Sequence, residues 1–198
     1  MLNLGRVHVG DGNRVWRVTT EPTEEPITLN EVKEYARIDG SAENNILSGF
    51  IKAVRKATEN YLGRALISQS LTLSLDYWPG DIVLLPRPRL ISITEVRTVD
   101  EDGTTTAYAS SNYYSRVIPE PGELVIKQGF SYPDNDDRDH GGYEIEFIAG
   151  YGGVADVPDN IKEAMKLWVA LIYEDRVPMD KPPEIAKTLM NAERILPS

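Results

Sequence analysis

Along the chain the spacing of apolar residues is helical near the start, alternating through the middle and helical again near the end. Thr28-Leu29-Asn30-Glu31 has the capping-box spacing, in which a threonine hydroxyl and a glutamate satisfy amides at a helix start. Leu29, Val32, Tyr35 and Ala36 then share one face. After Ser41, the positions Ile46, Leu47, Phe50, Ile51, Val54, Ala57, Tyr61 and Leu62 keep the three-and-four spacing of a buried stripe, and Gly63 supplies the stop. From Ala65 to about Ala149 the period becomes two, beginning with Leu71, Leu73, Leu75 and Tyr77 alternating against Thr72, Ser74 and Asp76. Further strands are expected over 82–84, 90–99, 104–108, 113–117, 123–128 and 143–149, with Asp100-Glu101-Asp102-Gly103 as a hairpin turn. Beyond Gly150-Tyr151-Gly152-Gly153 a third helix starts near Pro158, whose missing amide costs nothing in a first turn. Its apolar face is Ile161, Ala164, Met165, Trp168, Leu171 and Ile172, and it ends before Pro178. The breaker pair Pro182-Pro183 precedes a short helical stretch with Ile185, Leu189, Ala192 and Ile195, too short to stand without a partner surface.

Helices, then strands, then a helix imply an α+β fold: a small helical bundle with an all-β module inserted between the second and third main helices. The expected organisation is an N-terminal extended arm over 1–26, a helical domain over 27–64 plus 157–176, the inserted β module over 65–156 and a C-terminal tail over 177–198. The arm reading rests on Gly5, Gly10, Gly12 and the run Glu21-Pro22-Thr23-Glu24-Glu25-Pro26. Its short alternations, Val7/Val9 and Val15/Val18 around Trp16, suit a strand added to a neighbour or a loosely ordered terminus equally well.

Composition narrows the chemistry. There is no cysteine, which excludes disulfides, thiolate metal sites and a cysteine nucleophile. No apolar run approaches the roughly 20 residues that cross a bilayer, and the first ten residues lack the pattern of a signal peptide, so a soluble protein made in the cytoplasm is expected. With 21 basic and 31 acidic residues the net charge is −10, unsuited to gripping phosphate but compatible with DNA sliding past. The acidic loop Asp134-Asn135-Asp136-Asp137-Arg138-Asp139 fails the calcium-loop register, because Asp139 stands where glycine and Ile145 where glutamate is needed. Gly150-Tyr151-Gly152-Gly153 lacks the lysine and hydroxyl residue of a phosphate loop and reads as a backbone turn, with Tyr151 packing or facing a partner. The two histidines, His8 and His140, lie in the arm and the acidic loop, and no carboxylate pair predicts a shared pocket. No catalytic, cofactor or metal residue is therefore assigned. Candidate interface residues are Arg87 and Arg89 in Leu85-Pro86-Arg87-Pro88-Arg89, Tyr151, Arg176 at the third helix's end, and Ile185 and Leu189 in the tail.

Several motifs in order resemble one family, the head-tail connector (adaptor, head-completion) proteins of tailed bacteriophages. Thr28-Leu29-Asn30-Glu31-Val32-Lys33 with Ala36-Arg37-Ile38-Asp39, after Glu25-Pro26-Ile27, is similar to the family's opening helix. Tyr61-Leu62-Gly63-Arg64-Ala65-Leu66-Ile67 resembles its helix end and first strand. Leu84-Leu85-Pro86-Arg87-Pro88, Val99-Asp100-Glu101-Asp102-Gly103, Phe147-Ile148-Ala149-Gly150-Tyr151-Gly152, Val157-Pro158-Asp159-Asn160-Ile161-Lys162 and Tyr173-Glu174-Asp175-Arg176 continue the likeness. It spans about Thr20 to Arg176; the arm is longer than the family's, and the tail from Pro182 resembles it only loosely. The resemblance implies a structural protein of the virion neck, made in the host bacterial cytoplasm. It implies a ring, dodecameric in the particle, docked on the portal protein, and leaves open whether the free protein is a monomer. That ring extends the channel for double-stranded DNA without sequence-specific binding and receives the next neck or tail-completion protein. The resemblance brings no enzyme activity, cofactor or membrane. The competing reading from the residues alone is a small β-type module that binds a glycan or peptide through Tyr113, Tyr114, Tyr132 and Tyr151. A carboxylate-dependent hydrolase ranks last.

Overall fold

Thr28 caps the first helix, α1 (Leu29–Ala36), by both halves of the capping box: its hydroxyl accepts the Glu31 amide at 3.2 Å, and its own amide donates to the Glu31 carboxylate at 2.6 Å. This detail comes from a computed structural model of the chain, which describes residues 4–8, 13–134, 138–175 and 181–195. The fold is α+β, and the described residues form helices α1, α2 (Asn44–Leu62), α3 (Asp159–Asp175) and α4 (Glu184–Met190) and two antiparallel sheets. The chain divides into two units, residues 1–22 with 68–150 and residues 23–67 with 151–197.

The helical unit is held by the stripes of α2 and α3. Leu47, Ile51, Val54 and Leu62 of α2 are buried with Ile161, Met165, Trp168 and Ile172 of α3, and Val32 of α1 joins them. Full burial of each such side chain contributes about 1.5–3 kcal/mol. Gly63 ends α2 at φ 73°, in the left-handed region, with its amide bonded to the Glu59 carbonyl at 2.9 Å. Two residues expected on the buried stripes are half exposed, Tyr35 of α1 and Ile46 of α2. Each sits at the rim: at about 100° per residue, Leu47 takes the inward position and leaves Ile46 beside it.

The tail finds its partner surface within this unit. Ala186 and Met190 of α4 are fully buried, the Asn160 amide of α3 donates to the Leu189 carbonyl at 3.0 Å, and the Ile195 amide bonds to the Leu62 carbonyl at 3.0 Å.

In the other unit, six strands lie in the order β1 (Leu4–His8), β2 (Asn13–Thr20), β3 (Gln69–Leu75), β9 (Tyr143–Ala149), β5 (Leu90–Val99) and β6 (Thr105–Ala107). A second sheet has the order β4 (Ile82–Leu84), β8 (Glu123–Ile126), β7 (Tyr113–Arg116). The segment read as an extended arm thus supplies β2, which pairs antiparallel with β3. The physical reason is Trp16: it stands opposite Leu73 and is buried, carrying the alternation of Leu71, Leu73 and Leu75 onto one more strand. Across β9 the same face continues through Ile145 and Phe147, and across β5 through Leu90 and Val96. The turn between β5 and β6 closes at Gly103, φ 87°, through the Gly103 amide to the Asp100 carbonyl at 3.0 Å. Gly122, just before β8, lies so close to β5 that a Cβ there would overlap the Leu90 side chain.

Candidate functional site

The residues singled out as interface candidates occupy different places. Arg87 has φ 59°, is half-buried, and lays its guanidinium over the Trp16 ring at 4.5 Å, a cation–π contact that ties the β4–β5 connection to β2. Arg89 is exposed and faces Glu120 at 3.4 Å. Tyr151 is half-buried: its hydroxyl accepts from Arg64 at 3.2 Å and donates to Glu193 at 3.0 Å, and its amide bonds to the Leu66 carbonyl. It packs within the helical unit and links the end of α2 to the tail. Arg176 lies outside the described residues. Ile185 and Leu189, one turn apart on α4, turn away from the buried Ala186 and Met190 and are 60% and 40% exposed. The tyrosines of the binding-module reading divide between the two units, Tyr113, Tyr114 and Tyr132 in one and Tyr151 in the other. Tyr113 is buried and stacks on Tyr108, Tyr151 is engaged as above, and Tyr114 and Tyr132 are exposed.

The outer face of the six-stranded sheet is charged. Arg97 of β5 donates to Glu144 at 2.6 and 2.9 Å and to Glu95 at 2.6 Å, with Glu146 at 3.6 Å and Arg17 reaching Glu144 at 3.4 Å. Burial opposes the Arg97 charge, but the hydrogen bonds it donates to Glu144 and Glu95, with the charges of those carboxylates, outweigh it and hold its pKa above the ordinary value. The cluster is a set of cross-strand pairs fixed by register, Arg97 opposite Glu144 and Glu95 opposite Glu146. Among the described residues no three acidic or histidine side chains are arranged to hold a metal ion. Part of the acidic loop, 135–137, lies outside them.

The outer face of the three-stranded sheet, apolar apart from one ion pair, was missed by sequence reasoning. Ile82, Val125 and Tyr114 stand opposite one another across the strands, and Leu84, Glu123 and Arg116 form the next row. Ile82 and Tyr114 are 47% and 48% exposed. Ile82-Val83-Leu84 is apolar throughout, so its pattern does not say which residues point inward; burial of Val83 decides it. In the loop that follows β7, Ile118 is 90% exposed. A separate open hollow of about 480 Å³ at the end of α1 is lined by Lys33, Arg37, Glu34 and Asp39 among others. Lys33 is engaged there by the Gly40 carbonyl and by Asn44.

Among the described residues the arrangement offers surfaces, and comparison with known proteins shows what kind of protein shares the fold. The family described as Head completion protein matches residues 25–179. A search of curated proteins by sequence gave no match. Among solved structures, a chain from the neck of an empty gene transfer agent particle, computed with sixfold symmetry, is 23% identical with a TM-score of 0.78. The alignment covers 91% of this chain and 95% of that one. A chain from the virion of a native gene transfer agent is 25% identical over 91% and 95% of the two chains, with a TM-score of 0.76. A third, from the neck of a native gene transfer agent particle computed with twelvefold symmetry, is 22% identical over 98% and 95%, with a TM-score of 0.68.

Proposed function

From the premise that this chain belongs to the head completion protein family, we propose that it is a structural head-tail connector of a tailed phage or phage-like particle. It docks as a ring on the portal protein, extends the DNA channel and receives the next neck or tail-completion protein. The observation that carries the reading is the family match over residues 25–179, most of both helical blocks and the β strands between them. The fold shared with chains of particle necks computed with sixfold and twelvefold symmetry supports a ring of copies, twelve in the assembled particle. The acidic character of the chain supports a channel that DNA does not stick to, since like charges repel at close range.

Of the candidate interface residues, Ile185 and Leu189 are the proposed portal-side contacts, because an exposed aliphatic pair on a short, well-anchored helix is a ready hydrophobic handle. Arg89 is proposed as a rim contact, because its guanidinium, paired with Glu120, stands at the exposed surface. Co-sedimentation with portal-bearing, DNA-filled heads that lack this component tests the role. A new ring of density on the portal vertex is the expected result; heads that pellet without the protein, under conditions where it is folded, refute it.

A further inference from the structure

We propose that the outer face of the three-stranded sheet, carried by Ile82, Leu84 and Tyr114, is the surface that each copy buries against a second copy of this chain. The inference rests on the connector reading and names the contact that closes its ring.

Charge selects the occupant. The unit that holds this sheet, residues 1–22 and 68–150, carries nine basic and sixteen acidic residues, a net of −7 out of the chain's −10. On such a unit the face formed by β4, β8 and β7 is an exception. Its one ion pair, Arg116 with Glu123 at 2.7 Å, cancels itself. The adjoining Asp81 accepts the Tyr132 hydroxyl at 2.7 Å. A basic partner would gain most on the acidic parts of the unit. A partner as acidic as this chain itself can approach closely only where no uncompensated charge is met. Aliphatic side chains beside a half-exposed tyrosine, without lysine, are also the composition of an interface centre.

The form of the contact follows from dimensions. Strands of three and four residues are short edges, poor templates for strand addition, so the face and not the edge is the means of contact. Three strands about 4.8 Å apart and four residues at about 3.3 Å each give a face on the order of 200 Å² at most, since Val125 at its centre is already buried. A stable pair needs about 800 Å² per partner. The face alone therefore does not hold copies together in free solution, and it acts when the portal has already brought them side by side. The loop joining β7 to β8 carries a further exposed apolar side chain, Ile118, at 90%.

The absence of cysteine allows a direct test. Ile82→Cys and Tyr114→Cys, each the sole thiol of its variant, are labelled with a benzophenone maleimide, added to portal-bearing heads that lack the component, and photolysed. Adducts between copies of this chain, running as a ladder from dimer upward, are expected from both positions on heads and from neither in free protein. Thr106→Cys on the exposed strand β6 is the control expected to give none. Adducts joining this chain to the portal or to another head protein overturn the proposal, as does the lack of any copy-to-copy adduct on heads the labelled protein has joined. If the unaltered protein does not join the heads, the connector reading itself fails and takes this surface with it; if it joins and the adducts lie elsewhere, only the surface fails.

Discussion

Arg55 is the most demanding single residue. Its side chain is 1% exposed in the helical unit, with Nε on Glu25 at 2.8 Å and Nη1 on Glu59 at 3.1 Å, while the other Glu59 oxygen accepts the Leu66 amide at 3.0 Å. Removing one partner of a buried pair strands the other's charge, which costs about 3–5 kcal/mol. Arg55→Ala is accordingly expected to lower the urea midpoint by an amount near the top of the range for point variants, whereas Glu25→Ala, at the solvent edge, costs far less. The cap of α1 gives a pH-dependent effect. Hydrogen bonds from the Thr28 amide and then its hydroxyl hold the Glu31 carboxyl below the ordinary glutamate value of 4.5. Its folded pKa is lowered, so its stabilisation is fully present above the unfolded value and is lost as pH falls through the lowered one. Thr28→Ala is expected to cost about 1 kcal/mol at neutral pH. Denaturation curves across that acid window are expected to show the difference between Thr28→Ala and the parent shrinking as the pH falls. The capping box was legible in the sequence because its spacing is local. The Arg55 triad was not, since it joins residues 30 positions apart that no periodicity relates.

Among the elements, the alternation of Leu71, Leu73 and Leu75 fixed β3, and the expected strands over 82–84, 90–99 and 143–149 agree with β4, β5 and β9. What the pattern left open was partnership. Val15 and Val18 around Trp16 were compatible with a strand added to a neighbour or with a loosely ordered terminus, and only the pairing of Trp16 with Leu73 places β2 in the sheet. Tyr35 and Ile46 show the opposite limit, apolar residues in helical register that end on the rim because a stripe is wider than the surface it meets. Gly122 belongs to this scale as well. Nothing in its local sequence announces that Leu90 of β5 will lie against it, yet the contact leaves no room for a methyl group. Gly122→Ala is expected to cost about 1–3 kcal/mol by overpacking, seen as a lowered thermal midpoint. A midpoint equal to the parent's would mean that β5 and the loop before β8 separate freely.

For the whole molecule, the order of helices and strands made the α+β fold legible, while the interaction surfaces stayed out of reach because exposure is set by packing between distant segments. The tail illustrates this and decides how its role is tested. Truncation before Pro182 removes Ala186 and Met190 from the core of the helical unit, together with the Ile195–Leu62 and Tyr61–Asn191 hydrogen bonds. Loss of portal attachment by that truncation would therefore report misfolding as readily as a missing contact. The exposed pair separates the two. Ile185→Lys with Leu189→Lys changes side chains that point away from the buried positions, where surface substitutions usually cost within about 0.5 kcal/mol each. The double variant is expected to keep the parent's thermal midpoint to within a few degrees and yet to lose most of its attachment to portal-bearing heads. Unchanged attachment with unchanged stability would remove α4 from the docking surface and leave its buried face, Ala186 and Met190, as the whole reason for the helix.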